Sequence, residues 1–300
     1  MNVSSLLVFV VGSIWCTAGI TVVSARRKGC SIPWFYFLGS LWAALILGGY
    51  MLCSGEAAEL RGAQWPLVAM ISGGAVVNGI GQAVIMWNLK SGGCALVYAI
   101  PQLGFILPFL ASGLFWGERI TWLNLLGVIV EAVAILSVFP RGSKSADDSR
   151  EARRILIALG ALLLLGTSQL FYIYPSLPRN AELKLPASAS AFFTLGANMV
   201  SFFVITLAVK KREAVPWKSQ IPLSLLWGTI AATAFFVLYV TIRVMGEQGA
   251  AGLVYPVASS TEIVLFTLFT RIRLREKLVL RQILALAAIV VGIFMIQLQL

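Results

Sequence analysis

Residues Gly93 to Ile135 read GCALVYAIPQLGFILPFLASGLFWGERITWLNLLGVIVEAVAI: a helix-length apolar run, a charged turn at Gly117-Glu118-Arg119, and a second apolar run. The plan returns from Gly249 to Leu280 as GAAGLVYPVASSTEIVLFTLFTRIRLREKLVL, followed by a closing apolar run through Gly292. Leu96-Val97-Tyr98 recurs as Leu253-Val254-Tyr255 at an offset of 157 residues, and Glu118-Arg119-Ile120 as Glu276-Lys277-Leu278 at 158. The 157 offset also places Phe35-Tyr36-Phe37-Leu38-Gly39 on Phe192-Phe193-Thr194-Leu195-Gly196. The chain therefore reads as two similar halves, each about half its length.

The solvent for those halves follows from composition. Of 300 residues, 59% are hydrophobic and 12% charged, with a mean hydropathy of +0.90. A soluble domain carries roughly twice that charged fraction, whereas a bilayer span needs about 20 mainly apolar residues. Ten apolar segments are expected, at 3–24, 31–53, 66–87, 93–115, 122–139, 155–175, 187–209, 220–241, 250–270 and 279–299. The fold class is thus an all-α integral membrane protein of ten transmembrane helices. It divides into a first five-helix repeat (1–139), a cytoplasmic linker (140–154) and a second five-helix repeat (155–300).

The net charge of +11 would point a soluble protein towards nucleic acid. Here the basic residues sit in short turns between apolar runs, so a nucleic-acid partner is set aside in favour of membrane orientation. The loops after segments 1, 3, 5, 7 and 9 hold eighteen Lys and Arg, and the loops after segments 2, 4, 6 and 8 hold five. By the positive-inside rule both termini lie outside and the linker lies in the cytoplasm. The first run, followed by Arg26-Arg27-Lys28 and preceded by no positive charge, reads as a retained helix rather than a signal peptide. Five segments per half make the second half enter the membrane from the opposite side. The architecture is then an inverted repeat, with a solute site expected near the midplane between the halves.

Histidine is absent and the four cysteines show no CxxC spacing, so metal and haem sites lack their usual ligands and no cofactor is expected. An enzyme is also not expected. Membrane hydrolases use Ser with His or Lys, metal-bound His or paired Asp, and the one Asp-Asp pair, Asp147-Asp148, lies in the linker.

Two of the twelve acidic residues fall inside apolar runs, Glu131 and Glu262, each near the middle of its segment. A charge at that depth costs roughly 2.5–3.5 kcal/mol on insertion scales, so each needs a partner, a wet cavity or a proton. Both are candidates for proton coupling. Glu262 stands ahead because Tyr255, Ser259 and Glu262 share one helix face and Pro256 interrupts the backbone nearby. Glu131 could equally be a neutral carboxyl bonded to a neighbouring helix. Further polar groups at helical spacing form a candidate substrate site: Trp15, Asn78 with Gln82, Tyr98 with Gln102, Gln169 with Tyr172, and Asn198, facing Tyr255 and Ser259. Amides, phenols and an indole suit a polyhydroxylated or zwitterionic solute, although such residues also glue membrane helices together. Glycines 73, 74, 79 and 81 are expected to permit close helix packing.

Ten helices in two halves resemble the drug/metabolite transporter superfamily. So does the Gly117-Glu118-Arg119-Ile120-Thr121 turn followed by Leu126-Gly127, although the second copy has Arg275 before Glu276 and Ala285 in place of Gly127. Arg26-Arg27-Lys28 directly after the first helix, together with Gly79-Ile80-Gly81-Gln82 and Lys90-Ser91-Gly92-Gly93, is more similar to the sugar-uptake (rhamnose and glucose) permeases than to the exporters. The resemblance implies solute transport by alternating access in the plasma membrane, a bacterial inner membrane in that branch, often with protons as the coupling ion. It leaves uptake of a sugar or polyol and export of amino acids, nucleosides or drugs both open.

Overall fold

The computed structural model describes residues 3–62, 65–90, 100–138, 148–177, 185–208, 215–273 and 279–298. Among them ten helices follow one another: α1 (Val3–Arg27), α2 (Ile32–Ser54), α3 (Trp65–Lys90), α4 (Ile100–Phe115), α5 (Trp122–Val138), α6 (Asp148–Ile173), α7 (Ala187–Ala208), α8 (Trp217–Glu247), α9 (Val254–Arg273) and α10 (Leu280–Gln297). Eight are long and apolar enough to cross a membrane, and α4 and α5 are shorter apolar helices. Their outward faces carry large apolar side chains throughout, among them Leu45, Leu114, Val133, Leu163, Val204 and Phe294. Water would not tolerate such a continuous apolar surface. Trp65, Trp122 and Trp217 stand exposed at helix starts, where indoles anchor at the headgroup level. This is a membrane-embedded helical protein.

Two boundaries depart from the apolar pattern. Helix α6 begins at Asp148, seven residues before the expected 155, because Ala152-Arg153-Arg154 are good helix formers that need no apolar environment. The Asn88 amide of α3 donates to the Arg154 carbonyl at 3.0 Å and ties that extension down. Helix α8 runs 31 residues to Glu247 rather than stopping at 241. At 1.5 Å per residue it is roughly 46 Å long, so its last turns project beyond the hydrocarbon. There the Arg243 guanidinium donates to the Leu185 carbonyl before α7. The linker residues 140–147 and the Glu276-Lys277 turn lie outside the described residues.

Packing is carried by small residues. In α2 and α8 a Cβ built on Gly228 would lie 2.4 Å from the Gly39 carbonyl oxygen, so the two backbones touch. The α5–α10 crossing uses Gly127 and Gly292 against each other, and α1 meets α9 where Gly12 faces Ala258 and Thr261. Without a hydrophobic force between helices in lipid, such close approach supplies the van der Waals contact that holds them. Three of the four glycines of α3 serve in this way: Gly74 against Phe171 and Tyr172, Gly79 against Ser201, and Gly81 against Leu164 and Leu165, while Gly73 faces open space.

The resulting neighbours are specific. Helix α2 packs on α7 and α8, α3 on α6 and α7, α1 on α8 and α9, α4 on α6, and α5 on α10. Helix α9 is the most enclosed, with every residue from Ala250 to Thr261 buried. A 3-10 turn at Ala251–Leu253 leads into it, and another at Leu103–Phe105 interrupts α4 just after Pro101-Gln102.

Candidate functional site

Three phenols meet in the interior. Tyr172 of α6 lies edge-on to Tyr239 of α8 at 6.1 Å between ring centroids, and Phe235, one turn from Tyr239, adds a second edge at 6.2 Å. Tyr255 of α9 is close enough to interact electrostatically with both phenols. Trp15 of α1 covers the other side of Tyr255 at 5.8 Å. The missing side chain at Gly74 makes room for Tyr172, whose ring edge would sit 3.3 Å from a Cβ there.

The hydroxyls differ in one decisive respect. Thr194 of α7 donates its single proton to the Ser190 carbonyl at 2.8 Å. Its contact with Tyr239 Oη at 2.7 Å is therefore one in which Tyr239 donates. Among the described residues the buried hydroxyls of Tyr172 and Tyr255 have no partner, nor do Oε1 of Gln169 and Oδ1 of Asn198. An orphaned buried polar group costs about 1–3 kcal/mol, so these four, on α6, α7 and α9, invite occupants that can hydrogen-bond.

Among the expected site residues, Trp15, Tyr172 and Tyr255 are brought together with Tyr239. Gln169 lies one turn from Tyr172 on α6. Asn198 sits on the same face of α7 as Thr194 but towards α3, where it faces Gly79. Asn78 and Gln82 are half-buried on α3, Gln102 is half-buried at the break in α4, and Ser259 is buried one turn beyond Tyr255. Tyr98 lies outside the described residues. Tyr239 escaped the sequence reading, yet the repeat pointed to it: it lies 157 residues after Gln82, as Tyr172 lies 157 after Trp15.

The two intramembrane carboxyls have different surroundings. Glu262, on α9 itself, is half-buried against α1, where it faces Cys16 and the open backbone at Gly19. Glu131, on α5, is 0% exposed and packs its Cγ onto Gly292 of α10. Among the described residues neither of its oxygens has a hydrogen-bond partner. The Ser260 hydroxyl of α9 is close enough to act on the carboxyl, although the two do not meet in hydrogen-bond geometry. The polar neighbour of Glu131 thus comes from another helix, which is why its own sequence looked featureless.

A third carboxyl lies at the end of the same helix. Gly117 adopts φ of +74°, a left-handed conformation that glycine takes without strain. The reversal lets the Glu118 N–H reach the Ser112 carbonyl at 3.0 Å. It sends the Glu118 side chain to the start of α9, where Oε1 accepts from the Ala251 N–H and Oε2 from the Gly252 N–H, both at 2.9 Å. Burial lifts the Glu118 carboxyl above its ordinary range, while these two backbone donors pull the other way.

Chemically, the interior offers neutral donors and acceptors, aromatic walls and two isolated carboxyls. Among the described residues no three His, Cys, Asp or Glu side chains gather as a metal site would require.

No protein-family model and no curated protein matches the sequence. The fold itself has a solved counterpart. A crystal structure of another protein superposes with a TM-score of 0.78 over 99% of this chain and 98% of its own, at 17% identity. At that identity the likeness concerns the fold alone.

Proposed function

We propose that this chain is a secondary transporter of a small polar solute, working by alternating access between two inverted five-helix halves, 1–139 and 155–300. The observation that carries the reading is the convergence of Tyr172, Tyr239 and Tyr255 with Trp15, from helices of both halves, around buried hydroxyls that lack partners. A lipid-facing glue residue would satisfy its partner within the protein. A site that must bind and release a solute leaves groups unsatisfied until the solute arrives.

The helix pairings support the two-half reading. Exchanging the first five helices with the last five turns α1–α8 into α6–α3, α1–α9 into α6–α4 and α2–α8 into α7–α3, and leaves α2–α7 and α5–α10 unchanged. Every one of these pairs is packed in the structure. With five helices per half and the basic loops on one side, both termini lie outside and the linker lies in the cytoplasm of a plasma membrane, a bacterial inner membrane in the family resembled.

The solute is uncharged or zwitterionic and rich in hydrogen-bonding groups, such as a sugar or polyol, because the ring cluster carries no fixed charge. Uptake is coupled to protons through Glu262, which shares a face of α9 with Tyr255. A second reading, export of an amino acid, nucleoside or drug, is favoured by the aromatic share of the cluster, which suits flatter and less hydrated solutes.

A ligand-stabilisation screen of the purified protein against sugars, polyols, amino acids, nucleosides and cationic drugs tests the site. One class should raise the melting temperature saturably, and Tyr172→Phe and Tyr255→Phe should weaken that rise while leaving the unliganded melt near wild type. Equal shifts in wild type and both variants would remove the phenols from the site.

A further inference from the structure

The Glu118 contact is out of proportion to the turn that carries it. The turn needs only Gly117 and the Glu118 N–H bond to Ser112 to reverse the chain. The carboxylate instead crosses to a segment 133 residues away and satisfies two successive N–H groups at the start of α9. Those are among the donors a helix N-terminus leaves free, and a negative charge is favoured there. In most helices a neighbour in sequence supplies the cap. Here it comes from the far half of the chain.

The surroundings are shaped to the contact. A Cβ on Gly252 would lie 2.1 Å from Ser112 Oγ and 3.2 Å from Glu118 Oε2, so only glycine lets the carboxylate and the hydroxyl close on that backbone. The Ser112 hydroxyl donates to the Phe109 carbonyl at 2.8 Å and lies beside the carboxylate. One turn beyond the capped residues is Tyr255, whose unpartnered phenol belongs to the ring cluster.

We propose that Glu118 is a latch: its grip on the Ala251 and Gly252 N–H groups holds the start of α9 against the end of α4, positions Tyr255, and closes the solute site on the membrane face bearing the Gly117–Thr121 turn. The proposal rests on the alternating-access reading, since a latch has meaning only where that face also opens. Releasing the carboxylate frees α9 at its N-terminal end and shifts the protein towards the state open on that face. The effect on the opposite face is the reverse, because one population gains what the other loses.

Labelling tests this without any solute. In a chain with Cys16, Cys30, Cys53 and Cys94 changed to Ser, Ser259→Cys places one thiol at a buried position a turn beyond Tyr255. An impermeant maleimide is applied from each face of oriented vesicles. With Glu118→Ala, labelling from the Gly117–Thr121 face should rise at least tenfold and labelling from the other face should fall. Glu118→Gln keeps one acceptor and should lie between. If Glu118→Ala does not accumulate, Ser112→Ala, which keeps the carboxylate but strips a neighbour, should give a smaller change of the same sign. Unchanged labelling in the variants that accumulate, or an equal rise from both faces, would overturn the latch and leave Glu118 a structural cap. The two ideas fail separately: sidedness that switches in a protein moving no solute sinks transport but keeps the latch, and transport with unswitched sidedness does the opposite.

Discussion

Glu131 offers the sharpest test of whether a buried carboxyl is kept for function. The perturbation is Glu131→Met. Methionine is unbranched and keeps the Cγ that packs on Gly292, so the close α5–α10 crossing is undisturbed. What it removes is a carboxyl that is fully enclosed and has no hydrogen-bond partner on either oxygen. Desolvating a polar group without compensation costs about 1–3 kcal/mol, and a charge at the centre of a membrane helix roughly 2.5–3.5 kcal/mol on insertion scales. Replacing the group with an apolar one of similar volume should therefore stabilise the protein by about 1–3 kcal/mol. Since each kcal/mol moves the melting temperature of a mid-sized domain by roughly 2–4 °C, the gain should read as several degrees in detergent. Most buried substitutions go the other way, so the sign alone is informative. Glu131→Gln should fall between wild type and Met in stability. A Glu131→Met protein that melts below wild type would show that the carboxyl is satisfied in the membrane, refuting the reasoning from its orphaned oxygens.

Further outcomes follow from other contacts. Glu262→Gln, which keeps the shape of the side chain against Cys16 and Gly19 while abolishing titration, should still exchange solute across a vesicle membrane but no longer accumulate it under a pH gradient; full accumulation would remove Glu262 from coupling. Gly228→Ala would set a Cβ 2.4 Å from the Gly39 carbonyl oxygen and force α2 and α8 apart. It should lower stability by about 1–3 kcal/mol, as overpacking does, whereas Gly196→Ala, with nothing within 4 Å, should not; equal melts would show that the crossing is loose. The folded-state value of the Glu118 carboxyl lies above the ordinary 4.5, so the folded protein binds that proton more tightly than the unfolded chain does. The contribution of Glu118 to stability should then decline as pH rises upward from about 4.5, and Glu118→Gln should flatten that part of the melting-temperature profile.

The helices were legible because lipid imposes a simple rule: a span must be apolar over its whole length, and the runs of Leu, Val, Ile, Ala and Phe mark where it is. The ends of α6 and α8 were not, since a helix that leaves the bilayer is held by backbone hydrogen bonds and propensity. Arg153-Arg154 and Arg243 look like loop residues to a hydropathy reading. Trp15, Tyr172 and Tyr255 were found as polar aromatic side chains within apolar runs. Tyr239 was missed because it is a lone phenol between Leu238 and Val240 and its i+4 neighbour, Arg243, reads as a loop residue, although its offset from Gln82 carried the signal. The contacts of Glu131 with Ser260, and of Glu118 with Ala251 and Gly252, join residues more than 120 positions apart. No local pattern contains them; they appear only once α5, α9 and α10 are placed together.

Counterflow in proteoliposomes decides whether the buried phenols serve a site that two halves expose in turn. Vesicles loaded with the solute found by stabilisation, then diluted into a trace of the labelled form, should take up label transiently, faster than empty vesicles. Tyr172→Phe should reach the same rate only at higher concentration. Uptake of label that is linear in concentration and indifferent to solute inside would describe a pore or a leak, and would contradict alternating access.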